Sequence, residues 1–366
     1  MPGPYKSYSA GVTPTNGPYH VRVNGLHGFS LAARREDGYV PVPPNDEMFT
    51  SLAVAVNIGL EMLETPSGRT ALHRLGHALV QARAQRSDSA LEPFTGDLNR
   101  MEEYVDHFLE RVRGDYPRVT LQRFPGGVLA STDPLMPTSH LRDFRPKQAA
   151  GFAYNLEKVE SMVIAYNAYT RAARGSKASV FYLERWQNFL FILACATAYE
   201  LTHLFTLYLS LYSDWPPTPK EITYHGYSQG QGGESGRWLE GVLYGGSLEL
   251  YNERTEGPEQ PGRPYILDRH NFYHHIDPRA VVEFVTDPRQ YRFPFPLGKA
   301  ETRDDLRRQG LRNTGSTSEA AMPAPQSIRA MQSLSAIRKL RGYSIHIDAL
   351  RQRPSRASVP LRVTAA

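Results

Sequence analysis

The sequence predicts a mainly helical α+β domain, residues 1–297, followed by a basic tail, residues 298–366. Three observations support this prediction. The apolar stretch Phe189–Tyr212 is long enough for one buried helix, and other segments repeat apolar residues at helical spacing. Two short runs between residues 116 and 131 are rich in residues that favour strands. The tail is dominated by Ser, Ala, Gln and Arg, so little apolar surface remains there to build a core.

Capping residues mark where the helices begin. The predicted helices are Asp46–Glu64, Thr65–Gln85, Asn99–Val112, Asn155–Arg174 and a central helix that begins near Ser179. Asp46 (or Asn45), Thr65 and Asn155 carry side-chain oxygens that accept hydrogen bonds from the first turn of a helix. Pro66 suits a first helical position because that residue needs no backbone donor.

Strand signals are fewer. The predicted strands are Val119–Phe124 and Val128–Ser131, on either side of Pro125-Gly126-Gly127, and Val281–Val285. Beyond Tyr251 the chain is otherwise expected to be rich in loops. Residues 1–44 contain many Gly, Pro and Tyr residues, and we expect irregular structure there, with short strands such as His20–Val23.

The net charge of +5 is unevenly distributed. Residues 299–366 hold 13 Lys and Arg against 5 Asp and Glu, whereas residues 1–298 carry a net charge of −3. Ser327–Gly342 could form a basic amphipathic helix that contacts another protein or an acidic surface. We favour the alternative of a solvated, disordered tail without a partner. One basic segment without a recognition motif does not indicate nucleic-acid binding.

Cys195 is the only cysteine, so no internal disulfide can form, and a reducing cytoplasm is expected. Met1–Tyr5 has neither the basic nor the apolar region of a signal peptide. Phe189–Tyr212 also has the length of a membrane span, which needs about 20 residues. Glu200 and His203 near its middle, and the lack of a strongly basic flank, favour a buried core helix instead.

Glu200 and His203 make the apolar stretch the first candidate for a functional site. A buried charge is unfavourable by several kcal/mol unless it is paired, protonated or bound to a metal. Tyr199–His203 keeps the Glu and the second His of the zinc-binding motif HExxH, with a tyrosine at the first His. In that motif a helix directs two imidazoles, at positions i and i+4, to one Zn²⁺, and the Glu polarises a metal-bound water. Tyr199 is a weaker ligand, because a free phenol has a pKa of about 10.

The stretch from Tyr199 to Gly246 resembles a group of fungal metallopeptidase-like proteins that occur beside secondary-metabolite genes. Their pattern is HExxHxF, a Thr-Pro-rich loop, then Gly-Glu-Ser-Gly-Arg-x-x-Glu and Gly-Gly. The matching segments here are Tyr199–Phe205, Thr218-Pro219, Gly233–Glu240 and Gly245-Gly246. The resemblance covers a small part of the chain, and Tyr199 departs from it. It implies a zincin-like domain with a small sheet beside the motif helix.

The resemblance also implies a third metal ligand. In Glu-type zinc peptidases a downstream helix supplies a carboxylate, and Trp238–Gly241 is similar to the neighbourhood of that ligand in aminopeptidases. This implies Glu240 as the ligand, with Glu234 as the alternate. A six-residue separation places the two on different faces of a helix, so only one is expected to reach the centre. We expect the side chains of His203 and Glu240 to lie within about 6 Å of each other.

Two other groups of histidines are candidates for metal binding. His73 and His77 have i, i+4 spacing on a predicted helix, but Arg74 occupies the place of a catalytic Glu. We interpret this pair as solvated surface histidines. His270 and His274 share the same spacing within the cluster His270–His275. We interpret that cluster as a polar loop, with a replacement ligand for Tyr199 as the alternative.

Two functional classes follow. In one, the protein is a metal-dependent hydrolase in which His203 and Glu240 hold zinc, Tyr199 is a weak third ligand and Glu200 is the general base. In the other, it is a degenerate, non-catalytic relative that binds a small molecule or peptide in an accessory role, within fungal secondary metabolism. Tyr199 would then hydrogen-bond to the carboxylates and fill the position that a metal ion would otherwise occupy. Zinc would bind weakly or be absent. We favour the second class.

Overall fold

The computed structural model describes residues 25–36, 38–85, 94, 96–124, 127–136, 140–210, 218–224 and 232–316 of the chain. Several predictions lie outside these residues, namely the strand His20–Val23, the turn residues Pro125-Gly126, and the tail helix Ser327–Gly342. Contacts along the chain divide it after Ala321. The second unit, Met322–Ala366, lies wholly outside the described residues.

Helices make up most of the regular structure in the described residues. They are α1 (Glu47–Glu64), α2 (Pro66–Ala84), α3 (Met101–Gly114), α4 (Pro146–Ala149), α5 (Leu156–Arg171), α6 (Lys177–Tyr208), α7 (Ser235–Tyr244), α8 (Pro278–Thr286) and α9 (Arg303–Arg308). Three predicted starts are confirmed. Asp46 accepts from the Met48 amide at 2.8 Å, Thr65 from Gly68 at 3.0 Å, and Asn155 from Lys158 at 3.2 Å. The predicted mainly helical α+β class is confirmed as well.

The first sheet is mixed. Its strands are β1 (Leu31–Arg35), β2 (Gly38–Val42), β3 (Arg118–Gln122), β4 (Ala130–Pro134) and β5 (Ala150–Asn155), in the order β2-β1-β3-β5-β4. The three central strands are parallel, and β2 and β4 run antiparallel to them at the edges. The two strands predicted between residues 116 and 131 correspond to β3 and β4, but β4 begins at Ala130 and not at Val128, and the two are not neighbours. β5, which the sequence pattern did not predict, separates them.

The second sheet is antiparallel. It consists of β6 (Ser247–Glu253), β7 (Arg263–Leu267), β8 (Tyr273–Ile276), β9 (Leu297–Glu301) and β10 (Leu311–Ser316), in the order β10-β6-β7-β8-β9. The prediction of a loop-rich region beyond Tyr251 is therefore wrong. The predicted strand Val281–Val285 is also wrong, because it lies inside α8. Asp277 caps this helix and Pro278 occupies its first turn, and these local signals outweigh the β-branched composition.

The helix α6 forms the centre of the core. Its most apolar 18-residue window is hydrophobic enough to cross a membrane, and 94% of that window is buried by the rest of the protein. Gly59 of α1 lies directly against it, since a Cβ atom there would be 2.4 Å from the Ala194 carbonyl oxygen. This close approach of two helices requires glycine. The hydroxyls of Thr197, Thr202 and Thr206 donate to carbonyls one turn earlier in α6, so they are satisfied within the helix.

The folded domain continues past the boundary predicted between residues 297 and 298. That boundary lies within β9, which pairs with β8, and the following β10 pairs with β6. Leu306 and Leu311 are buried beside Tyr251 and Tyr265. The composition of this segment did not predict these elements, because a short helix and a strand that pack on an existing sheet need only two buried leucines.

Two truncations test whether the domain ends at Ser316, as in the structure, or near residue 297, as predicted from composition. Ending the chain at Ser316 is expected to leave the melting temperature almost unchanged. Ending it at Pro296 is expected to lower the melting temperature by several degrees, because burial of Leu306 and Leu311 is lost, a term of about 3 kcal/mol or more. Thermal unfolding followed by circular dichroism measures both. A comparable drop on removing residues 317–366 alone would show that this segment stabilises the fold.

Candidate functional site

The candidate site lies where α7 packs antiparallel against α6. Gly236 at the start of α7 faces the ring of Tyr199, since a Cβ atom there would lie 2.4 Å from two ring carbons. Cys195, about one turn before Tyr199 in α6, is close enough to Tyr244, at the end of α7, for the two to interact electrostatically. Glycine at position 236 therefore allows the start of α7 to approach the tyrosine that replaces the first histidine of the motif.

Tyr199, His203 and Glu234 converge at this contact. The Tyr199 hydroxyl donates to Glu234 Oε2 at 2.7 Å, and His203 Nε2 lies 3.5 Å from the same oxygen. The rings of Tyr199 and His203 are 5.1 Å apart, as expected for i and i+4 on one helix face. The glutamate that reaches the motif is thus Glu234, the alternate choice.

The backbone of Glu234 is fixed by a neighbouring segment. Its amide donates to the Ile222 carbonyl at 2.7 Å, and the amide of Gly233 donates to Thr218 at 2.8 Å. Glu234 is the N-cap of α7, but its side chain does not cap the helix. The carboxylate is consequently directed to Tyr199 and His203.

Ser235 supplies the second contact of the His203 ring. Its hydroxyl lies 3.1 Å from Nδ1. If this hydroxyl donates to Nδ1, the proton of the neutral ring is on Nε2, which faces Glu234. Burial lowers the pKa of His203, and the negative charge of Glu234 partly offsets that effect by raising it. His203 is therefore neutral at pH 7.

The order hydroxyl, imidazole, carboxylate in Ser235, His203 and Glu234 is that of a serine hydrolase. However, Ser235 is 0% exposed, so its oxygen is enclosed by the protein. A nucleophile must reach a substrate carbonyl, and a wholly enclosed hydroxyl does not. The role that fits Ser235 is to orient the imidazole.

Glu200, the predicted general base, has a different environment. It is buried, and its Oε2 accepts a hydrogen bond of 2.5 Å from the Thr132 hydroxyl of β4. Successive residues of a helix point about 100° apart, so Glu200 faces the edge of the first sheet while Tyr199 faces α7. The side chain of Glu200 thus lies in the contact between α6 and β4, away from Tyr199 and α7.

Glu240, the preferred third ligand, lies with Arg237 at the junction of α7 and β6. Its Oε2 accepts from the Arg237 guanidinium, the Ser247 hydroxyl and the Leu248 amide, each at 3.2 Å. Arg237 is 1% exposed, and its guanidinium is also 3.5 Å from Glu249. Glu240 does not lie beside His203, contrary to the prediction. It follows Glu234 by six residues, a rise of about 9 Å along the helix.

The second histidine cluster also differs from the pattern considered in the sequence. His274 lies in β8 and His270 in the turn before it, so the i, i+4 alignment of a helix does not form. His274 Nε2 is 3.2 Å from Asp268. Across the described ranges, no group of three or more His, Cys, Asp or Glu side chains is placed to hold a metal ion.

The donor set around His203 does not fit a standard catalytic zinc site. Such a site uses three protein ligands, usually imidazoles and carboxylates. Here one imidazole is joined by a carboxylate that already accepts a hydrogen bond from a phenol. Comparison with family models, curated proteins and solved structures finds no match. The interpretation of the site therefore depends on its own geometry.

The sequence contained a signal that distinguishes the surroundings of Glu234 from those of Glu240. Glu240 follows Arg237 by three residues, a spacing that pairs opposite charges on one helix face. That pairing predicts a structural partner for Glu240 and leaves Glu234 available. Thr132, the partner of Glu200, gave no comparable signal, because it precedes Glu200 by 68 residues.

The pKa of His203 provides a test of the site electrostatics. We expect NMR titration to give a folded-state value below 6.5, and Glu234→Gln to lower it further by removing the neighbouring charge. Glu253→Gln, at the exposed end of β6, is the control and should leave the value unchanged. Because the folded-state pKa is depressed, the contribution of His203 to stability is complete above pH 6.5. It is lost as the pH falls from there through the folded-state pKa. A folded-state value above 6.5 would contradict the assigned burial.

Arg237 provides a test of the structural role of Glu240. Arg237→Met should lower the free energy of unfolding by about 3–5 kcal/mol, because Glu240 and Glu249 keep their burial and lose their cation. Arg263→Met is the matched control: Arg263 pairs with Glu253 at half-exposed positions, where a pair contributes about 0–1 kcal/mol. Urea unfolding measures both. Equal losses in the free energy of unfolding would show that Arg237 does not compensate the buried charge of Glu240.

Proposed function

We propose that the protein is a non-catalytic relative of metallopeptidases that uses a zincin-like scaffold to bind a small molecule or peptide. We place it, by its resemblance, in an accessory role in fungal secondary metabolism. The supporting observation is the 2.7 Å hydrogen bond from Tyr199 to Glu234, formed beside His203. The phenol of Tyr199, the imidazole of His203 and the carboxylate of Glu234 contact one another. In a metallopeptidase, three ligands placed in this way would bind a metal ion instead.

The chemistry of the phenol supports this proposal. A hydrogen bond from an O–H group to a carboxylate is among the stronger ones in proteins. Zinc binding would remove that bond and would also require Tyr199 to lose a proton, against a free pKa of about 10. With two remaining strong ligands, His203 and Glu234, the compensation for this loss is smaller than in a three-ligand site.

The exposure of the group supports a binding role. The side chains of His203 and Glu234 are 17% and 28% exposed, whereas Tyr199 is buried. A ligand would thus meet a carboxylate and a neutral imidazole at the surface, with the phenol behind them. An amine or hydroxyl of a small molecule or peptide has the donors to bond to such a pair.

One observation favours the second candidate function, a metal-dependent hydrolase. Tyr199 and His203 occupy the i and i+4 positions of α6, and Glu234 of a following helix reaches the same point, as ligands of one ion do. In that case Glu200 would be the general base, and the metal content of the purified protein would reveal it.

Elemental analysis after identical dialysis separates the two functions. We expect the natural protein to hold little zinc at this site. Tyr199→His should raise the zinc content toward one equivalent, because it restores the pair of imidazoles at i and i+4. Adding Glu234→Ala to Tyr199→His should remove that zinc. Glu253→Ala in the same background is the control and should retain it.

Two outcomes would change the proposal. Stoichiometric metal in the natural protein that is lost in His203→Ala would favour the hydrolase and make Tyr199 a genuine ligand. No metal in either the natural protein or Tyr199→His would show that the resemblance to metallopeptidases does not extend to the site. In both cases circular dichroism of each variant shows whether the fold is kept.

A further inference from the structure

A second pair of aromatic side chains with ligand atoms lies on α2. The ring centroids of His73 and His77 are 4.6 Å apart, with 50° between the ring planes. The two residues are separated by four positions, so both rings project from one face of the helix. Two imidazoles held side by side in this way can donate nitrogen atoms to a common ion.

The helix that carries the pair is firmly held. Leu72, Leu75 and Leu79 are fully buried, and Gly76 lies against the side chain of Met101. Thr65 caps the helix, with its hydroxyl accepting from Gly68. The spacing between the imidazoles is therefore set by a packed helix, and little ordering is needed when a ligand binds.

Both rings are accessible and available. His73 and His77 are partly exposed, at the border of the buried face of α2. In the part of the chain that the structure describes, the pair contact each other and neither forms a hydrogen bond or ion pair. Nitrogen lone pairs that are not engaged elsewhere can bind a metal ion without breaking an existing interaction.

We propose that His73 and His77 together bind one divalent transition-metal ion such as Ni²⁺, Cu²⁺ or Zn²⁺. Neutral imidazole is a common ligand of these ions, and water would complete the coordination. Two protein ligands are fewer than the four of a structural zinc site, so the ion is exchangeable. This replaces the interpretation of the pair as solvated surface histidines, and it is independent of the proposed function of α6 and α7.

The sharpest control keeps the number of histidines and breaks their spacing. In the double variant His77→Gln/Gln81→His, the two histidines are eight residues apart, a rise of about 12 Å along the helix. Gln81 is exposed, so the exchange leaves the buried face of α2 unchanged. The single variant His73→Gln removes the other half of the pair and serves if the double variant does not fold.

Calorimetric titration of the untagged, chelator-treated full-length protein with NiCl₂ tests the proposal. The natural protein should show one site that binds Ni²⁺ about 100-fold more tightly than the exchanged variant, because two linked ligands act at a high effective concentration. His73→Gln should show the same loss, and His203→Ala should retain the tight site. Circular dichroism confirms that each variant is folded.

Retention of the tight site in the folded exchanged variant, or in His73→Gln, would overturn the proposal. Loss of that site in His203→Ala alone would also overturn it, since the ion would then lie between α6 and α7. Absence of any tight site in the natural protein would show that the pair does not chelate.

Discussion

The burial of polar side chains within α6 is the constraint on which the candidate site depends. A buried polar group needs a hydrogen-bond partner, or folding becomes less favourable by the desolvation of that group. The threonines of α6 find partners among its own carbonyl groups. Tyr199 and Glu200 instead bond to Glu234 and Thr132, which other elements supply. These two side chains thereby fix the start of α7 and the edge strand β4 against the central helix.

The sequence predicted those parts of the fold whose causes are local. The helix caps at Asp46, Thr65 and Asn155 act within three residues, so they could be recognised without knowledge of the rest of the chain. β5 could not be recognised in this way, because its partners β3 and β4 lie elsewhere in the sequence. The pairing of β6 with β10 joins residues about 60 positions apart and was missed for the same reason. Strand stability comes mainly from such neighbours, whereas a cap carries its own signal.

For the candidate site, the sequence could predict which face of α6 carries the polar side chains, but not which glutamate contacts that face. Helical spacing places Tyr199 and His203 together whatever surrounds them. The choice between Glu234 and Glu240 depends on the antiparallel packing of α7, and in particular on Gly236, which allows the first turn to approach Tyr199. Glu240 is directed instead to Arg237 of the same helix and to the start of β6. The resemblance to zinc peptidases suggested the opposite choice, because it compares residue types and not their charged neighbours.

The tyrosine has a consequence for the packing of α6 and α7 that does not depend on ligand binding. With histidine at position 199 and no metal, Glu234 would lie beside two neutral imidazoles, and its charge would have weaker compensation. With Tyr199, the Glu234 carboxylate accepts a hydrogen bond from the phenol, and no metal ion is needed for this contact. Because the Glu234 amide also bonds to Ile222, the same contact holds residues 218–224 beside the start of α7. The hydrogen bond from Tyr199 to Glu234 thus holds the two helices, and the segment beside them, together without requiring a metal ion.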